Sequence, residues 1–300
     1  MERPPTIESV PEFSSKIDLR FFRHDKKEST KTKEDKDILL APEGRLHAKE
    51  RASLTDLGQA IAFSSPRKRT AETAGFVMAG KAGEITGTET LEELKAKIHE
   101  GIKHGSKLRE DERLDFMLDE KTPYGDAATK AFGEGRFLKF LVEESDRLAE
   151  ENNDTENSTY SSMARSVAEI VKKYIGIAPR WDELVNNEDK RANPFKKYDK
   201  VLHRLFATHQ TIQESFLAKT IELTKGPEER DRFVAALDNQ GVGFSEGFHL
   251  EIITESSQTE PTIHITYKKE GATEEKSFDF DETISAEVLE EIAQGEAVPA

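Results

Sequence analysis

Apolar positions along the chain come in short runs separated by charged stretches, and their period alternates between that of strands and that of helices. The run from Ile17 to Phe22 predicts a strand that ends in FFRHDKKE. Lys26 to Asp37 is polar and highly charged, and predicts a solvated loop. A helix is expected from Pro42 through EGRLHAKERASL, with proline at its first position. Ala60 to Phe63 reads as a short buried parallel strand. Ser64-Ser65-Pro66 closes it and opens another helix, serine capping and proline leading.

Positions 91, 94, 98 and 102 are apolar at the spacing of one helical face, and Phe137, Phe140, Leu141 and Leu148 suggest another helix. The polar stretch Glu151 to Ser158 precedes an amphipathic helix with Met163, Val167, Ile170, Val171 and Tyr174 inward. Val201 to Thr208 is the second strong strand, and HQTIQESFLAKTIEL continues from it as a helix. FHLEII, TIHITY and SFDF predict an antiparallel hairpin or meander at the sheet edge, followed by a short helix from Ser285 to Ala293. No internal repeat interrupts this order.

The alternation of strand and helix predicts an α/β fold, a three-layer sandwich around a mostly parallel sheet, with a helical cap insertion and a C-terminal β-hairpin. Residues 1–16 read as an N-terminal arm, 17–94 and 158–300 as the core, and 95–157 as the cap inserted within the same domain.

Composition narrows the picture. In 300 residues, 35% hydrophobic content suffices for one packed core. No window reaches the ~18 uninterrupted apolar residues of a membrane span, and MERPPTIESVPEF lacks the pattern of a secretion signal. A cytoplasmic location is therefore expected. With no cysteine, thiolate nucleophiles, disulfides and Cys-ligated zinc are excluded. A formal charge of -15 repels polyanions, so nucleic acid is not the expected partner and any anion site must be locally basic.

Candidate chemistry gathers at strand ends. Arg23 and His24, Arg69, and His209 each follow an apolar strand, and in an open α/β sheet such ends converge on one crevice. Two guanidinium groups offer planar forks to a phosphate dianion, and the helix start at Pro66 adds backbone donors. Two imidazoles share that pocket, one able to attack and one to stabilise.

At these residues the chain resembles the histidine phosphatase superfamily, the phosphoglycerate mutase-like fold. FFRHDKKE is similar to its strand-ending Arg-His motif, and Leu40 to Ala48 to the Leu-Thr-x-x-Gly helix start. Phe63 to Ala74, FSSPRKRTAETA, resembles the Ser-Ser-Pro-x-x-Arg-Ala-x-x-Thr-Ala segment, making Arg69 rather than Arg67 the pocket arginine. Leu205 to Phe216 resembles the second histidine segment, its His-Gln pair being similar to the fructose-bisphosphate phosphatase branch. The resemblance implies that His24 is a nucleophile forming a phosphohistidine that water hydrolyses. It also implies that Arg23, Arg69 and His209 hold the phosphoryl oxygens. It implies no metal and no cofactor, and a small phosphorylated substrate or phosphopeptide as partner.

The leaving oxygen needs a proton donor. The family's acid follows the second motif in a Leu-x-Glu setting, which falls on Leu91-Glu92-Glu93, and Glu93 is the choice. The competing reading makes Glu92 and Glu93 the polar face of a helix. Asp25 stands where the family has glycine, placed to raise the His24 pKa or to repel substrate. The mutase branch's Glu-Ser and Trp-Asn pattern is missing from DKKESTKTK, which disfavours a mutase.

A phosphate-binding scaffold that has lost catalysis is the alternative from another class. A small capless phosphohistidine phosphatase is disfavoured by the 95–157 insertion. Of the other histidines, His203 is expected in the core or at the sheet edge, and His47, His99 and His104 in solvent. His249, Glu251 and His264 are a conceivable metal trio, explained more simply as cross-strand polar neighbours. Arg67-Lys68-Arg69, with Arg20, Arg23, Lys26 and Lys27, reads as a field that focuses small anions.

Overall fold

A computed structural model describes residues 14–30, 32–52, 60–101, 108–187, 194–237, 241–255, 260–269, 273 and 276–295. The arm before residue 14 and His104 lie outside the described residues. Strand β1 spans Ser15–Arg23, β2 Ala60–Ser64, β3 Leu108–Glu110, β4 Val201–Thr208, β5 Gly247–Thr254, β6 Thr262–Lys269 and β7 Phe278–Ile284. They form one seven-stranded sheet in the order β3-β2-β4-β1-β5-β6-β7.

The α/β class is as the sequence predicts, but the sheet is parallel only from β3 to β1. Strands β5, β6 and β7 extend it as an antiparallel meander. Antiparallel neighbours need only short turns, whereas each parallel pair needs a crossover. The tail therefore adds three strands to the free edge of β1 without further crossover helices.

Helices α1 (Pro42–Glu50), α2 (Lys68–Ala79) and α3 (Leu91–Gly101) follow β1 and β2 on one face. Their apolar residues pack with Phe22, Ala60, Ala62 and Leu205. Helix α7 (Tyr160–Asn186), α8 (Gln210–Lys225), α9 (Pro227–Leu237) and α10 (Ala286–Gln294) lie in the larger core on the opposite face. Ile17, Leu19 and Phe21 point into that core, at the two-residue period of a strand. Because β1 and β4 send their helices to opposite faces, a crevice opens between their carboxyl ends.

Aromatic rings fix this register. Phe206 stacks on Phe21 at 4.4 Å between centroids, Phe21 on Phe248 at 4.8 Å, and Phe63 on Phe206 at 5.2 Å. Each is a cross-strand pair, a type of contact worth roughly 0.2–1 kcal/mol. Together they tie β2, β4, β1 and β5 in one alignment, so the ends of those strands are held in fixed relation.

The segment expected as a cap is only partly one. Leu94 and Ile98 of α3 are buried against α2, where a Cβ on Gly75 would meet Leu94 Cδ2 at 2.7 Å. Residues 108–110 form the edge strand beside β2. The helices expected to cover the pocket are α4 (Pro123–Gly133), α5 (Phe137–Phe140) and α6 (Asp146–Glu151), the last two joined by a π-helical turn at Leu141–Ser145.

Helix α2 starts at Lys68 with Arg67 at its N-cap, two residues later than Ser64-Ser65-Pro66 suggested. Ser65 Oγ accepts from the Arg67 N–H at 3.3 Å and also lies 2.8 Å from Thr70 Oγ1 and 3.0 Å from His209 Nε2. No helix among the described residues is long and apolar enough to cross a membrane.

Candidate active site

Arg23 and Thr208 are register partners at the ends of parallel β1 and β4. The next residues, His24 and His209, are thereby delivered side by side, with ring centroids 5.2 Å apart. The His24 N–H donates to the Thr208 carbonyl at 2.9 Å, continuing the ladder one step past the strand. Arg69 arrives in the first turn of α2, the helix that follows β2. Arg23, His24, Arg69 and His209 line one pocket of about 520 Å³. A larger cavity of about 610 Å³ lies along β1, β5 and β6 and includes Arg20 and His249, but none of these four residues, so it is set apart from the motif chemistry.

His24 Nδ1–H donates to the carbonyl oxygen of Asp25 at 2.7 Å. That bond selects the tautomer with the lone pair on Nε2. Arg69 Nε–H lies 3.3 Å from this Nε2. Burial, then the neighbouring His209 and Arg69, hold the His24 pKa well below its ordinary value, so the ring is neutral near pH 7.

His209 Nε2 sits 3.3 Å from Asp115 Oδ1. Among the described residues its Nδ1 is buried without a hydrogen-bond partner. Burial pushes the His209 pKa down to about 4, against the opposing pull of Asp115. Burial also acts on Asp115, but His209 and Arg67 outweigh it and keep the carboxyl ionised. A buried orphan nitrogen backed by a carboxylate can take a proton and donate it to an anionic oxygen.

Arg69 donates from Nη1 to the Asp35 carbonyl at 2.7 Å and from Nη2 to its carboxylate at 3.0 Å. Arg67 shares that carboxylate and also holds Asp115 at 2.5 Å. Asp35 thus braces the arginines from the loop between β1 and α1, a segment the sequence presents only as charged solvent-facing chain. Of the expected anion-focusing cations, Arg23, Lys27 and Arg69 reach the pocket. Arg20 turns to Asp18 and Lys26 to Glu43.

Asp25 neither faces substrate nor charges His24. Its carboxylate accepts from His47 Nδ1 at 2.6 Å and from Ser245 Oγ at 2.7 Å, buried behind His24. His47, expected in solvent, is therefore a structural partner, while His99 is exposed as expected. The conceivable metal trio is divided among ion pairs. His249 bonds Asp18 at 2.7 Å, Glu251 holds Lys16 at 2.6 Å, and His264 meets Asp281 at 2.9 Å. His203 bonds the same Asp18 at 2.8 Å.

Glu93 is not brought to the pocket. Its carboxylate accepts from the backbone N–H and hydroxyl of Thr90 at 2.8 and 2.9 Å, the reciprocal pattern of a capping box at the start of α3. Those bonds lower its pKa, the reverse of what a proton donor needs. The carboxyl groups that do line the pocket are Glu120 and Glu214. Glu214 is fully buried, accepts from the Val242 N–H at 2.6 Å, and is pushed up to about 8 by burial. The sequence signal for it is a carboxylate flanked by Ile212, Phe216 and Leu217 in a helix that is buried on every side over residues 211–221. For Asp115 the sequence carries no distinguishing signal.

No curated relative matches the chain. Several solved structures share the fold loosely. They include a mycobacterial glucosyl-3-phosphoglycerate phosphatase, 15% identical with a TM-score of 0.42 over 79% of this chain and 90% of that one. A phosphoglycerate mutase from Bacillus anthracis is 14% identical, with a TM-score of 0.46 over 94% and 97%. A phosphoserine phosphatase from Entamoeba histolytica is 16% identical, with a TM-score of 0.39 over 82% and 94%. The sequence model of the histidine phosphatase superfamily (branch 1) matches residues 19–135, a span that holds Arg23, His24 and Arg69 and stops short of His209. The resemblance read from the motifs therefore holds: over residues 19–135 the chain is similar to the histidine phosphatase superfamily (branch 1).

Proposed function

We propose that the chain is a metal-independent phosphomonoester hydrolase that works through a phosphohistidine on His24. The observation that carries this reading is the His24 Nδ1 bond to the Asp25 carbonyl, which leaves a neutral Nε2 lone pair in the pocket beside Arg69. Positive charge at the pocket floor comes from Arg23 and Arg69, where charge develops on a transferring phosphoryl group.

In the first step Nε2 bonds to phosphorus as the bond to the ester oxygen breaks. The leaving oxygen takes the electron pair and a proton from Glu214, which replaces Glu93 in that role. His209 protonates at Nδ1 as the dianion binds and donates to a phosphoryl oxygen, with Asp115 supporting the imidazolium. Water then attacks phosphorus, the N–P bond breaks, Glu214 recovers its proton, and inorganic phosphate leaves. A binding-only scaffold is disfavoured because its main motive, interference by Asp25, is removed by the contacts of that side chain with His47 and Ser245.

Phosphate release from an aryl phosphate in the presence of chelator tests the reading. Turnover that falls by about a thousandfold or more in His24→Ala supports it. Absence of turnover, or turnover unchanged in that variant, contradicts it.

A further inference from the structure

Beyond the phosphate floor the pocket changes character. Phe116 comes first: its ring centroid is 5.1 Å from that of His209, which is itself 5.2 Å from that of His24. Phe132 and Phe137 follow from α4 and α5, in edge-to-face contact at 5.8 Å, with Leu118 and Leu138 beside them. Phe132 is 70% exposed, an apolar ring held open to solvent at the mouth of a cavity. Arg67 stacks on the Phe116 ring at 4.7 Å while it holds Asp115, so that ring is fixed in place next to the floor.

We propose that the ester this pocket accepts is an aryl phosphate, with the ring of the leaving group seated against Phe116 and beside the Phe132–Phe137 pair. The substrate class rests on the hydrolase reading above and deepens it. A phosphate anchored at His24 and Arg69 directs its ester oxygen outward, and the group attached to that oxygen meets Phe116 within one ring's length. A flat aromatic group gains offset and edge contacts with these rings. A sugar or a serine side chain would instead set hydroxyl, ammonium or carboxylate groups against phenylalanine and leucine, losing water without full replacement of its hydrogen bonds.

The chemistry agrees with the shape. A phenol ionises near ~10, as tyrosine does, against ~15.7 for water. An aryl oxygen therefore leaves with less proton donation than an alkyl one. As the Nε2–P bond forms, the P–O(aryl) bond breaks toward phenolate, and the phenolate is protonated by Glu214 or by solvent.

The test compares phenyl phosphate, free phosphotyrosine and a phosphotyrosyl peptide with glycerol phosphate and phosphoserine. Turnover is read in the wild type and in Phe132→Ala, a truncation at an exposed side chain that leaves the core intact. Equilibrium binding of phenyl phosphate and glycerol phosphate is measured on His24→Ala by calorimetry. The expected result is a preference of about tenfold or more for the aryl esters, and a larger loss for aryl than for alkyl esters in Phe132→Ala.

Equal or better use of glycerol phosphate or phosphoserine overturns the inference and leaves the hydrolase reading standing. Tighter binding of phenyl phosphate with no turnover in the wild type supports the inference and overturns the hydrolase reading. Failure of every phosphate ester to bind overturns both. A peptide used far better than free phosphotyrosine identifies a polypeptide as the source of the aryl group, and equal use identifies a small molecule.

Discussion

The Nδ1 atom of His24 donates to the carbonyl oxygen of Asp25 at 2.7 Å, so the residue that follows His24 orients it through the main chain and not through its charge. The Asp25 side chain points the other way. His47, Ser245 and the Lys26 N–H all donate to it, and the Asp25 N–H donates to Thr73 Oγ1 at 3.0 Å. The bend of chain that carries that carbonyl is therefore bonded on both sides.

Removing one of those donors should loosen the bend. His47→Ala takes the 2.6 Å bond from a buried carboxylate, and is expected to lower stability by about 1–3 kcal/mol. The imidazole of His24 is then less firmly aimed, so kcat falls more than KM rises. Urea denaturation and steady-state kinetics check the two effects together, and a variant with unchanged stability and kcat would contradict the role given to this network.

Glu214 has its pKa raised by burial from 4.5 to about 8. The folded chain keeps this proton while the unfolded chain loses it, so the associated stability is complete below pH 4.5 and is lost as pH rises toward 8. Glu214→Gln should flatten that decline, measured by denaturant midpoints between about pH 3.5 and 9, roughly one pH unit beyond each end of the group's titration. In the same variant kcat for an alkyl phosphate should fall by about a hundredfold or more. The wild type is expected to lose activity above about pH 8, and that loss should disappear from the residual rate of the variant.

The two imidazoles carry the opposite sign. His209 falls from 6.5 to about 4 and His24 falls as well, both led by burial, so their stabilisation is present above pH 6.5 and is lost as pH falls through that window. For His209 alone the loss is on the order of 3 kcal/mol. Inorganic phosphate should reverse the cause by giving a protonated His209 Nδ1 an acceptor. Calorimetry at pH 6 in two buffers of different ionisation enthalpy is expected to show proton uptake when sulfate, a tetrahedral anion already doubly charged at that pH, is bound in place of phosphate. No uptake would place His209 outside the anion site.

Glu93→Ala is expected to leave kcat unchanged and to lower the thermal midpoint slightly, because it removes only the carboxylate of a capping box at Thr90. A large fall in kcat with the fold intact would restore Glu93 as the donor.

The contrast between Glu93 and Glu214 shows where the sequence was informative. Strands β1, β2 and β4 are short apolar runs with polar ends, so the residues just past them, His24, Arg69 and His209, were legible as neighbours before any coordinates. The antiparallel tail was legible from its alternation. The raised pKa of Glu214 was not, because a carboxyl group's pKa depends on burial by residues distant in sequence. Glu93 lies at an exposed helix start and Glu214 inside a helix packed on all sides, yet both are glutamates in helical segments. Asp35 and Asp115 were hidden for a related reason. Each acts through arginine forks on α2 that only the folded chain brings within reach. The cap boundary shifted because edge strand β3 is three residues long, too short for an alternating pattern to register.

The most direct measurement is rapid quench of the enzyme during turnover of an aryl phosphate, followed by peptide mapping under alkaline conditions. The account predicts a phosphoryl group on His24 that survives alkali, is lost in acid, and does not form in His24→Ala. Turnover with no phosphoryl group on His24, or with the group on another side chain, would contradict it.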